Sequence, residues 1–384
     1  MKRSHLLAAA GLALVALAPL GRAQEVGRGQ DQAEPPSATQ AAPKARPEEA
    51  GRMLNALADG PGWRSYKARF VTDQGRVVDT ANGRISHSEG QGYGMLLAVA
   101  AGDKDAFRRI WDWTRANLMV REDALLAWRW EPDKRPGVAD MNNATDGDIL
   151  VAWALAEAAD GWADEGYRLA ARRLAVDIAR RTVLFRVEGG PLLLPGMSGF
   201  SAEDRTDGPV ANLSYWIFPA FARLAAVAPE FEWARLSANG LDLVLRARFG
   251  QAQLPTEWIS MRGGTPKPAS GFPTVFSYNA VRIPLYLAMA GITDRRYYEP
   301  FLRLWATSDP SGMPVIDTET NAVAGRFQEP GYGAIPAIAA CAATGTALPP
   351  GFSEIAPSEN YYPATLQLLA IATANVRYLS CLGR

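Results

Sequence analysis

The chain has 384 residues, with 40 basic and 40 acidic side chains, two His and two Cys. This balance leaves no basic footprint for nucleic acid, and so few imidazoles and thiols exclude a His-rich or Cys-rich zinc site. Carboxylates are the main remaining source of proton transfer.

Lys2 and Arg3, the uncharged apolar run from Leu6 to Leu20, and Gly21-Arg22-Ala23 read as a secretory signal peptide over residues 1–23. The run is shorter than the roughly 20 residues a membrane-spanning helix needs, so an exported, soluble, periplasmic or secreted protein is expected. Loss of Lys2, Arg3 and Arg22 from the 40 basic residues leaves 37 against 40 acidic ones, a net charge of −3. With His5 also removed, any Ser-His-Asp triad would have to use His87. Residues 24–50 are rich in Gln, Glu, Pro, Ala and Arg without hydrophobic periodicity and read as a flexible linker. From 51 to 384 the composition is globular, and the lack of a second linker favours one large domain.

Within that domain apolar residues recur at helical spacing. The spacing predicts helices near 89–101, 104–118, 146–159, 163–181, 211–227, 230–247, 279–290, 295–306, 333–344 and 360–378. Short connections such as Gly102-Asp103 pair them into antiparallel hairpins. Segments such as 144–159 and 332–343 are small and apolar, whereas 104–118 and 163–181 carry charge on one face, which predicts an inner layer of helices within an outer one. The stretches 189–200 and 251–276 read as long loops or short hairpins over one face. Cys341 and Cys381 fit either one disulfide or two separate buried thiols.

Two segments share a design, Ser88-Glu89-Gly90-Gln91 and Thr145-Asp146-Gly147-Asp148. In each a carboxylate follows a hydroxyl residue suited to capping a helix, and the fourth residue is able to close a capping box. Two helices would thus aim acids from their N-termini into one cleft, as cleavage of a glycosidic bond requires. Gly90, Gly92 and Gly94 each lower helix propensity by about 1 kcal/mol, which suggests close approach of a ligand to the backbone. Ile149, Leu150 and Trp153 follow Asp146 at three, four and seven residues, so Asp146 faces inward, while Asp148 lies off that face. An enclosed Glu89 close to Asp146 is expected to hold a proton against the pull of the helix dipole.

Three blocks, Ser88-Glu89-Gly90-Gln91-Gly92-Tyr93-Gly94-Met95, then Ala144-Thr145-Asp146-Gly147-Asp148 running into Ala152-Trp153-Ala154-Leu155, then Ser277-Tyr278-Asn279-Ala280-Val281-Arg282, resemble glycoside hydrolase family 8. Supporting likenesses lie in Trp63 through Asp79, in Trp128-Arg129-Trp130 and in Ser214-Tyr215. Within the family the likeness is to periplasmic endoglucanases associated with bacterial cellulose synthesis. The resemblance implies an all-α (α/α)6 barrel, inversion at the anomeric carbon, and a groove for a β-1,4-glucan polysaccharide. It implies no cofactor and no metal, and a cellulose synthase assembly as the setting. It assigns Glu89 as general acid and Asp146 as the residue that holds a distorted sugar ring. Tyr215, Tyr278 and Arg282 match positions that line the site, and Trp130 matches one that stacks on a sugar.

One position departs from the family pattern: the residue after Tyr278 is commonly an Asp that acts as general base, and here it is Asn279. An amide can hold water but cannot deprotonate it. Glu257, in the long segment before the third block, is the leading substitute and Asp146 the second. An inverting pair needs its carboxyls roughly 6.5–9.5 Å apart. Glucan binding without turnover, and a xylanase or chitosanase of the same fold, are the alternatives.

Overall fold

The computed structural model describes residues 53–58, 60–306, 312–357 and 359–383. The signal peptide and linker expected over 1–23 and 24–50 lie outside the described residues.

Among the described residues there are eleven α-helices: α1 (Pro61–Phe70), α2 (Ser88–Ala100), α3 (Lys104–Asn117), α4 (Thr145–Trp162), α5 (Glu165–Thr182), α6 (Phe218–Val227), α7 (Trp233–Arg246), α8 (Arg282–Met289), α9 (Glu299–Ala306), α10 (Ala334–Thr344) and α11 (Tyr361–Arg377). Ten correspond to predicted helices, with shifted ends. The predicted 211–227 segment begins as helix only at Phe218, because Val210–Ala211 is drawn into a strand and Leu213–Tyr215 forms a single 3-10 turn. The 163–181 helix starts at Glu165, since Ala163 takes φ +51° and Asp164 caps the helix by accepting from the Tyr167 N–H. Helix α1 has no counterpart among the predicted helices; Pro61 occupies its first turn, where the missing N–H costs nothing.

The layered reading holds for most pairs. In α2 every residue but Glu89 is buried, in α8 all eight are, and α4 is buried from Thr145 to Ala159. Helices all-round apolar in this way belong in an interior. By contrast α3 buries one face, Ala106, Phe107, Ile110, Trp111, Trp113 and Thr114, and its first turn is closed by Asp103 accepting from the Ala106 N–H. The expectation fails for 332–343: Pro336, Ala337 and Ala340 remain half-exposed, so α10 belongs with the half-buried helices. The most extensive helix contact is that of α2 with α4.

Short strands cover the gaps. Ser86–His87 (β1) pairs with Arg129–Trp130 (β2), and Val183–Leu184 (β3) with Leu192–Leu193 (β4). Val210–Ala211 (β5), Ile259–Ser260 (β6) and Lys267–Pro268 (β7) form one three-stranded sheet. Val275–Phe276 (β8), Met313–Asp317 (β9) and Val323–Phe327 (β10) form another. The hairpin β9–β10 lies outside every predicted element.

The two cysteines are joined: Cys341 on α10 bonds Cys381 in the C-terminal turn. The bridge closes a loop across a sequence separation of 40 residues, and a disulfide typically contributes about 2–4 kcal/mol. The Cys341→Ser/Cys381→Ser variant is therefore expected to melt roughly 3–6 °C lower in calorimetry. A melting point within a degree of the wild type would contradict this.

Candidate active site

Local helix chemistry differs from the expected capping design. Neither Ser88 nor Thr145 caps; each is the first residue of its helix. The cap of α2 is His87, whose Nδ1 accepts the Gly90 N–H at 3.0 Å. Helix α4 follows Ala144 without a side-chain cap, and Thr145 donates its hydroxyl to the Leu194 carbonyl. Glu89 and Asp146 thus occupy the second helical position, still within the first turn, where the helix dipole favours a negative charge. Gln91 closes no box; its Oε1 accepts the Val77 N–H at 2.6 Å and its Nε2 donates to Thr114 Oγ1 at 2.8 Å, which pins the preceding loop. Asp148 is also fully buried, accepting from the Leu126 N–H and from Asn143 Nδ2, and burial lifts its carboxyl to about 8.

The glycines serve helix contact rather than ligand approach. A Cβ on Gly92 would stand 2.5 Å from the Cβ of Leu150, and one on Gly147 would stand 2.1 Å from Ser88 Oγ and 2.7 Å from the Glu89 nitrogen. Without those side chains α2 and α4 meet at their N-terminal ends, which brings the two acids together.

Arg282, at the start of α8 and 1% exposed, joins them. Its Nη1 pairs with Glu89 Oε1 and with Asp146 Oδ2, the latter at 3.1 Å. Its Nη2 donates to Ser214 Oγ at 2.9 Å and to Asn279 Oδ1 at 2.8 Å. A buried guanidinium is tolerable only when its donors are met in this way. Burial and the nearby Glu89 charge outweigh the bonds from Arg282 and the Gly147 N–H and lift the Asp146 carboxyl to about 7. Beneath Arg282, Tyr93 and Tyr286 share a hydroxyl–hydroxyl bond, with the Tyr93 hydroxyl 3.4 Å from Nη1.

Glu257 joins the same cluster. Its Oε1 accepts the Asn279 N–H at 2.8 Å and its Oε2 accepts from Asn279 Nδ2 at 3.1 Å. Burial raises its pKa against these bonds. Hence Asn279 is held at both ends of its amide, by Glu257 and by Arg282, and an amide and a guanidinium stand between the carboxyls of Glu257 and Glu89.

Tyr215 lies with its ring centre 5.9 Å from the Arg282 guanidinium carbon and edge-on to Trp258. Trp258, which no sequence motif singles out although it adjoins Glu257, is stacked between Phe200 and Phe272. Tyr278 and Trp130 stand outside the hydrogen-bonded cluster. Tyr278 is 52% exposed and packs on Phe327, while its carbonyl accepts from the Tyr362 hydroxyl. Trp130, across the β1–β2 pair, meets Trp113 edge-on at 5.4 Å and carries the Arg76 guanidinium at 5.1 Å.

Comparison with known proteins gives the family. The family model for glycosyl hydrolases family 8 matches residues 53–375. This chain belongs to that family. A probable endoglucanase of Novacetimonas hansenii is 36% identical over 312 residues, which is 80% of this chain and 88% of that protein. Among solved structures, a family 8 endo-β-1,4-glucanase from an Achatina fulica gut metagenomic library superposes with a TM-score of 0.74 at 36% identity, covering 82% of this chain and 97% of the other. The endo-β-1,4-glucanase CMCax of Acetobacter xylinum gives a TM-score of 0.73 at 34% identity, covering 86% and 99%. The chain is a glycoside hydrolase, predominantly helical like its relatives. No helix among the described residues is long and apolar enough to cross a membrane.

Proposed function

We propose that this glycoside hydrolase is an exported endo-β-1,4-glucanase, built as an (α/α)6 barrel and cleaving cellulose-like chains with inversion. The observation that carries the reading is the convergence of Glu89 and Asp146, from two helix N-termini, on the one buried guanidinium of Arg282. Glu89, 20% exposed in its side chain, is the general acid that protonates the departing glycosidic oxygen. Asp146, buried and inclined to keep a proton near neutrality, holds a sugar hydroxyl and the ring shape. Glu257 takes the base role that Asn279 cannot fill, with Asn279 fixing its orientation. Tyr215, Tyr278 and Trp130 supply aromatic surface for pyranose faces. The cysteine bridge suits the oxidising compartment expected after export, periplasmic or secreted. Work around a cellulose synthase assembly is the setting that the family resemblance suggests.

The test is product analysis on a soluble cellulose derivative. Viscosity should fall well before reducing ends accumulate, and proton NMR of the first products should show the α-anomer, since inversion at a β-linkage gives it. First appearance of the β-anomer would overturn the inverting assignment. Cello-oligosaccharide binding with no new reducing ends would favour a glucan-binding protein, the reading that Asn279 taken alone suggests. Parallel assays on xylan and chitosan decide the polymer.

A further inference from the structure

His87 is the imidazole two residues ahead of Glu89, and its surroundings do more than end a helix. Its Nδ1 accepts the Gly90 N–H at 3.0 Å and stands 3.9 Å from Glu89 Oε2. Its Nε2 stands 3.4 Å from Asp79 Oδ2, on a side chain 13% exposed. The ring abuts Tyr361 edge-to-face, and a Cβ on Gly90 would lie 3.3 Å from His87 Cε1 and 3.0 Å from the Tyr361 hydroxyl. Gly90 therefore makes room for this imidazole. The Tyr361 hydroxyl is buried and has no hydrogen-bond partner among the described residues. Glu89 is thus divided: Oε1 belongs to Arg282 and Oε2 faces His87.

An inverting cycle takes one proton from the acid and places one on the base, so the acid must be reloaded at every turnover. Arg282 occupies Oε1 of Glu89, so the returning proton must reach Oε2, the oxygen that faces His87. We propose that His87 stores the proton that keeps Glu89 competent as an acid, and returns it through Nδ1 to Oε2. This rests on the reading of Glu89 as general acid. In the step, the Nδ1–H bond of the imidazolium breaks and an O–H bond forms on Glu89 Oε2. The ring is left neutral with its remaining proton on Nε2 towards Asp79. The freed Nδ1 lone pair then accepts the Gly90 N–H, which is the arrangement observed. Solvent protons recharge the ring when the cleft is open.

The charges around the ring suit storage. Facing it are Asp79 from the preceding loop, Glu89 on α2, Asp146 on α4, Arg129 opposite it on β2, Arg282 on α8 beyond Glu89, and Tyr361 on α11 with Tyr66 of α1 behind. Burial pushes the imidazole towards neutrality, but Asp79, Glu89 and Asp146 outweigh it and hold the pKa above its ordinary value. The proton is then retained at a pH where an isolated carboxyl has lost its own.

The experiment is the pH dependence of kcat/KM for wild type, His87→Asn and His87→Gln, with Glu89→Gln in parallel and melting points for all. Asn keeps a cap acceptor and cannot titrate. For whichever variant melts near the wild type, the ratio of kcat/KM at about pH 7.5 to that at about pH 5 should fall at least tenfold below the wild-type ratio. A profile that superimposes on the wild type, or a loss uniform across pH, overturns the storage role and leaves His87 as a cap. Full activity of Glu89→Gln would instead sink the assignment of the acid itself, which separates the two failures.

Discussion

Glu89→Gln is expected to lower kcat on a soluble cellulose derivative by about 10²–10⁴-fold with little change in KM. Glutamine has the same shape and still offers Arg282 an oxygen, so the packing of α2 on α4 and the buried guanidinium keep their partners. What the chemical step loses is the transferable proton, an interaction that matters only as the glycosidic bond breaks. A second consequence follows from the charge. Glu89 raises the Asp146 pKa, so removing its charge should bring Asp146 down from about 7, and Asp146 should ionise at lower pH in the variant. Viscometry and a carboxyl NMR titration read the two effects. Viscosity loss within twofold of the wild type would remove Glu89 from the mechanism.

Glu257→Gln should cost a similar factor, about 10²–10⁴-fold in kcat, because it removes the carboxylate that the Asn279 clamp holds in place. The more telling variant is the exchange Glu257→Gln/Asn279→Asp. The pair keeps its hydrogen bond with donor and acceptor reversed, the introduced glutamine still accepts the backbone N–H of residue 279, and Arg282 still donates to Oδ1 of that residue. The exchange should recover much of the activity lost in Glu257→Gln, since a carboxylate again faces the site. Asn279→Asp alone places a second carboxyl about as close to Glu257 as the amide now lies, 3.1 Å. Like charges at that range share one proton, so this variant should shift the pH profile rather than simply add activity. Unchanged kcat in Glu257→Gln would eliminate Glu257 as the base.

Local pattern locates the acids but misleads about why their neighbours are there. Glu89 and Asp146 are legible because a carboxylate in the first turn of a helix, next to glycine, is a signal confined to a few residues. The roles of Gly92 and Gly147 are not local: each is small because of a residue on the other helix, Leu150 in one case and Ser88 in the other. His87 is legible only as a scarce imidazole. Its partners, Asp79 and Tyr361, lie eight positions before it and far along the chain. Glu257 looks like a surface acid because its segment is rich in Pro, Thr and Gly. Its carboxylate is held by Asn279, 22 residues away, which no periodicity reveals.

Sequence alone determined the helical class, the order of the helices, the family and the place of Glu89 and Asp146 in the first turns of their helices, because hydrophobic period and short motifs act over a few residues. Tertiary structure alone decided which polar groups lie together: Arg282 between Glu89 and Asp146, Asn279 between Arg282 and Glu257, and His87 between Asp79 and Glu89. The reason is that electrostatic coupling falls with distance through a low-dielectric interior, and that distance is set by how closely helices pack, not by separation along the chain.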